Sequence, residues 1–189
     1  YATSISFGIV YNSYQLLYIA LFGCSLFALV TCVAGLNKAA VRQAQHWDLP
    51  TRGVTAFLIL SGIALFVAWL PDIIPTLAAG TTLPLIEVYT TEITYVLDMG
   101  VVSPLMFVCL YLLKKRNGMG DVLLAVILVM CAVIGIMLPV QTAYQAMAGI
   151  EVPVPVLITK VGTFVALSAF AAFFAIKLFR NMGGAAGKA

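Results

Sequence analysis

The residues best placed to do chemistry are the few charged ones in an apolar chain. Asp98 and Lys160 sit inside long apolar runs, and Glu92, Tyr95, Asp72 and Gln141 fall near the ends of such runs. A lone carboxylate or ammonium in hydrocarbon costs at least about 2.5–3.5 kcal/mol on insertion scales, so each must find a partner or reach water. Tyr95 lies one helical turn from both Glu92 and Asp98. Carboxylates, a phenol and an amide gathered at one level could hold a small solute or an ion. A proton could be the coupled ion, because a buried carboxylate near a lysine can change charge with its surroundings.

Other chemistry finds no support in the residues. The chain has one histidine, His46, in a polar connector, which excludes transmembrane bis-histidine haem ligation and a histidine-rich metal site. The four cysteines, Cys24, Cys32, Cys109 and Cys131, lie in apolar runs without a CxxC, so they read as inert packing. GxSxG, HExxH and P-loop patterns are absent. No catalytic residue, metal or cofactor is implied. Asp98 with Glu92 is the one pair that an aspartyl mechanism could use, and nothing in its spacing is diagnostic.

The elements that position these groups follow from composition. Of 189 residues, 63% are hydrophobic and 9% charged. A soluble domain carries about 25% charged residues, so the solvent for this surface must be lipid. The chain reads as an all-α, polytopic transmembrane bundle of about five helices, at 15–36, 53–71, 90–113, 121–145 and 156–179. Residues 1–182 form a single transmembrane domain, and 183–189 a flexible tail. The opening YATSISFGIVYNSYQ has neither a basic n-region nor a small-residue cleavage site, so it does not read as a signal peptide; a segment preceding it is expected. Pro71 is expected to end the second crossing, and DIIPTLAAGTTLPL after it reads as interfacial or re-entrant. Gly100 with Pro104, and Pro139, mark expected kinks.

Orientation follows from the cations. Five crossings place the 37–52 connector, Lys114–Arg116 and the C-terminus on one side, which collects nine of the ten lysines and arginines. That side is the cytoplasm by the positive-inside rule, so the N-terminus lies outside and the C-terminus inside. The net charge of +3 is thereby explained by membrane topology, and no nucleic acid is implied. Counted from Lys114, Asp98 lies about 24 Å up the third helix, and Lys160 lies about 25 Å up the fifth from Lys177. In a core of about 30 Å both stand just under the outer interface, and the depths predict that they pair. Two readings stay open. One is a polar pocket open to the outside, lined by Glu92, Asp72, Tyr95 and Gln141. The other is a buried ion pair that sets helix register, with the outer acids simply wet. Lys160 could also snorkel outward without a partner.

In the fifth crossing small residues recur four apart, at Gly162 and Ala166, Ser168 and Ala172, and Ala171 and Ala175, which suits close approach of a helix from this chain or another. The stretches LPDIIP, EVYTTEITYVLDMGVVSPL and LYLLKKRNGMG resemble a loose set of prokaryotic multi-spanning membrane proteins without assigned activity. The resemblance covers roughly 53–145, implies a prokaryotic plasma (inner) membrane, and carries over no functional residue. Three functions remain. The first is small-solute or ion binding and transport through an outward-facing acidic pocket. The second is a non-catalytic subunit or scaffold of a larger membrane assembly, with other subunits or copies as partners. The third is a membrane-embedded enzyme.

Overall fold

The computed structural model describes residues 7, 13–37, 39–41, 51–83, 92–149 and 154–186, with the backbone alone at 51, 156 and 181–186. Among them the ordered elements are all helices. Hydrocarbon offers backbone groups no partners, so a spanning segment must pair its N–H and C=O groups internally, which a helix does. Five helices are long and apolar enough to cross a membrane, as the apolar runs predict. They are α1 (Gln15–Gly35), α2 (Thr51–Ala79), α3 (Ile93–Lys114), α4 (Gly118–Met147) and α5 (154–186). The acids Asp48, Glu87 and Glu151, together with His46, Lys38 and Arg42, lie outside the described residues.

The expectation that Pro71 ends the second crossing is corrected: α2 runs through Pro71 and Pro75 to Ala79. Each proline removes one N–H, which leaves only the carbonyls of Val67 and Pro71 without their usual donors. Such single losses are tolerated in membrane helices, where hydroxyls and neighbouring groups supplement the backbone. The Thr76 hydroxyl bonds the Ile73 and Asp72 carbonyls at 2.8 and 3.1 Å, on this same stretch. The true stop is Gly80, whose φ of +64° suits a residue without Cβ. There Thr81 N–H bonds the Thr76 carbonyl at 3.0 Å and Gly80 N–H bonds Leu77 at 3.3 Å, a Schellman closure. Residues 72–79, read as interfacial or re-entrant, are thus the last two turns of α2. With 29 residues α2 is about 43 Å long, so it tilts or reaches headgroup level.

By internal contacts the chain forms two compact units, Tyr1–Asn37 with Ile63–Pro104 and Lys38–Gly62 with Leu105–Ala189. The second unit is held by close backbone approaches. α3 turns into α4 through Arg116, which takes the left-handed conformation (φ 53°), while Asn117 caps α4 by accepting from Met119 N–H at 2.9 Å. Gly120 packs so tightly there that a Cβ would come within 2.8 Å of Leu113 N and 2.9 Å of Leu112 C. α4 and α5 pack extensively against each other. Leu124, Ile127 and Leu128 on α4 are buried, as are Ser168, Ala171, Phe174, Ala175 and Leu178 on α5. A Cβ on Gly135 of α4 would fall on the Ser168 side chain. Ser168, Ala171 and Ala175 of the expected small-residue face therefore serve a helix of the same chain, whereas Gly162 and Ala166 stay exposed. α5 also continues to Ala186, into the segment read as tail.

In the first unit α1 buries no residue at all. Its Thr31 hydroxyl returns to the carbonyls of Phe27 and Ala28, at 2.8 and 3.1 Å, so this hydroxyl is paired within the helix.

These packing differences predict different tolerances. Gly120→Ala should lower thermal stability in detergent by an equivalent of about 1–3 kcal/mol, because its methyl meets backbone. Gly23→Ala on α1, where a Cβ meets nothing within 4 Å, should leave Tm unchanged or slightly raised. Equal Tm changes for the two would contradict the hairpin packing. Ser61→Ala should be neutral or stabilising by up to about 1 kcal/mol, because the buried Ser61 hydroxyl has no hydrogen-bond partner to lose.

Candidate functional site

The first unit joins the C-terminal half of α2 to the start of α3 through polar side chains. Asp98 Oδ2 accepts a hydrogen bond from the Trp69 indole Nε1–H at 2.9 Å. The Tyr95 hydroxyl donates to Asp72 Oδ2 at 3.0 Å. The Trp69 and Tyr95 rings lie between these two bonds, stacked with centroids 4.6 Å apart and planes 26° from parallel. All four residues are half-buried.

The arrangement has a simple sequence basis. Trp69 and Asp72 stand three apart on α2, and Tyr95 and Asp98 stand three apart on α3, so each helix carries an aromatic-x-x-Asp turn on one face. Trp69 meets Asp98 and Asp72 meets Tyr95, so moving forward along one helix means moving back along the other. That is the register of an antiparallel pair. Each aromatic ring thus gives its polar edge to the opposite helix's aspartate and its face to the other ring.

The local backbone aims these groups. Glu92 is the N-cap of α3, its Oε1 accepting from Thr94 N–H at 3.3 Å, where an acid also complements the helix dipole. After Ile93–Leu97 the helix widens into a π-helical turn over Asp98–Val102, and Ser103 N–H closes back on the Asp98 carbonyl. Pro104 supplies the cause. It has no N–H for the Gly100 carbonyl and its ring would crowd that carbonyl in an α-helix, which a wider turn relieves. The kink expected at Gly100 and Pro104 is therefore expressed as a π-helical turn that begins at Asp98 itself.

Four of the six residues singled out in the sequence, Asp72, Glu92, Tyr95 and Asp98, lie in this region of the first unit. Lys160 and Gln141 belong to the second. Lys160 is half-buried within another π-helical turn, Leu157–Gly162, and Gln141 is exposed on α4. Trp69, the donor to Asp98, was not among the residues singled out. The signal was present: WLPD in α2 repeats the aromatic-to-aspartate spacing of YVLD in α3. Among the described residues no group of three His, Cys, Asp or Glu converges as a metal site. Asp98 and Asp72 accept from Trp69 and Tyr95 respectively, so the cluster sets two carboxylates beside two aromatic faces.

No protein-family model matches the chain, and no curated protein or solved structure matches it either. The class that fold and site define is an all-helical, multi-pass membrane protein with a polar ladder between two of its helices.

The Tyr95–Asp72 rung of the ladder is measurable. In a double-mutant cycle of Tyr95→Phe and Asp72→Ala, unfolding in mixed micelles should show a coupling of about 1 kcal/mol. Strict additivity of the two substitutions would contradict the Tyr95–Asp72 bond.

Proposed function

We propose that this chain is a multi-pass protein of a prokaryotic plasma membrane, N-terminus outside and C-terminus inside, that binds a small cation near the outer face and passes it across. The observation that carries this reading is Asp98. It is a carboxylate placed within a membrane-capable helix and held there by the indole of Trp69. The Trp69 indole is a neutral donor that bonds Asp98 without cancelling a charge, and Asp72, which accepts from Tyr95, places a second carboxylate one turn away along the ladder. Burial of carboxylate charge is expensive, and an ionisable residue at such depth is most often part of an ion or solute path. A cation would neutralise the site while its flank rests on the aromatic faces. Glu92, at the start of α3, extends the negative region toward the interface. Lys160 and Gln141, in the second unit, enter this reading only through their depth in the sequence.

The test uses full-length protein in nanodiscs with Trp47→Phe, so that Trp69 is the sole indole. Titration with sodium, potassium, tetramethylammonium and an aromatic amine should give a saturable change in Trp69 fluorescence for at least one cation. Asp98→Asn should weaken that binding at least tenfold. No saturable change with any of them, or an Asp98→Asn curve equal to the parent's, would remove the proposal.

A second reading, a subunit of a larger membrane assembly, is favoured by α1, which buries no residue within the chain. Native mass spectrometry after gentle extraction separates the two. A stoichiometric protein partner supports the subunit; a monomer carrying a small cation supports binding.

A further inference from the structure

We propose that the π-helical turn Asp98–Val102 is a register switch, which releases Asp98 from Trp69 by moving toward the N-terminus of α3. The inference does not depend on what the site binds. A π-helical turn holds one residue more than the α-helical path needs, and that surplus can sit wherever backbone bonds can be exchanged. On its C-terminal side the turn is blocked, because Pro104 has no N–H to exchange. On its N-terminal side it faces only Ile93–Leu97, little more than one turn of α-helix. The Asp98 N–H there is shared between the carbonyls of Thr94 and Tyr95, so its α-helical bond to Thr94 is not exclusive. Gly100, in the middle of the turn, has open space where a Cβ would be, so nothing wedges the turn in place.

When the surplus residue passes Asp98, the Asp98 carbonyl gives up Ser103 N–H for the α-helical donor one residue earlier. Asp98 then rotates by about 100°, the angle of one residue in an α-helix, and leaves the face turned to α2. Tyr95, a turn further on, keeps its bond to Asp72 until the surplus reaches it. The two rungs therefore open in order, Asp98 before Tyr95. The Trp69 and Asp72 partners act as latches that favour the closed register.

Full-length protein with Trp47→Phe, labelled with 5-fluorotryptophan at Trp69 and placed in nanodiscs, reads the switch by fluorine NMR. The expected result is two resonances, or one with exchange broadening on the microsecond to millisecond scale. Deleting Gly100 removes the surplus residue while leaving Tyr95 and Asp98 on the α2 face. It should give one sharp line at the major position. Asp98→Leu, which needs no deletion to fold, should turn the minor line into the major one. A single unbroadened line in the parent protein, exchange that survives the deletion, or an Asp98→Leu line at neither parent position would overturn the proposal.

Discussion

A carboxylate cannot be left alone in hydrocarbon, and this requirement at Asp98 organises the first unit. Hydration is replaced by the Trp69 indole, and that choice brings α2 and α3 into one antiparallel register. Once Trp69 meets Asp98, the three-residue spacing on both helices places Tyr95 against Asp72 without further design. Ring stacking then fills the space between the two bonds. The π-helical turn and Pro104 set the rotation from which Asp98 can reach α2. A single demand, that charge be matched at depth, thus connects a backbone irregularity, a helix pair and a candidate binding site.

The second unit solves helix association differently. Lipid tails are as apolar as leucine, so there is little hydrophobic force between membrane helices, and close contact must supply the attraction. Gly120, Gly135, Ser168, Ala171 and Ala175 allow that contact, and larger side chains such as Leu128, Phe174 and Leu178 fill the remainder. Helix α1 uses neither device and buries nothing. Polar bonds are directional and can be exchanged, whereas tight packing of small residues has one good arrangement. A moving or binding region is therefore expected in the first unit and a rigid frame in the second.

Much of this was legible in the sequence. The number of crossings, the acids near one level and the irregularity at Gly100–Pro104 follow from apolar length and residue type. The small-residue face on α5 was visible too, although its partner was not, because close approach can serve any neighbour. The end of α2 was misread because proline is a stronger stop in water than in a membrane helix, where Gly80 with its positive φ was the effective signal. Trp69 was missed because it carries no charge to draw attention at membrane depth. Its role depends on a long-range pairing, and only two aligned aromatic-x-x-Asp turns announce it. Depth counting ranks charges and overlooks neutral donors such as the Trp69 indole.

The most direct test of the account is nitrogen-15 NMR of the two indole N–H groups in tryptophan-labelled, full-length protein. The account predicts that one of them, assigned to Trp69 by Trp69→Phe, shows a downfield proton shift typical of a charge-assisted hydrogen bond, and that Asp98→Leu moves it upfield. The Trp47 signal should stay in place. If Asp98→Leu leaves the Trp69 signal where it was, Asp98 is not held by the indole, and the ladder, its register and the site built on it fall together.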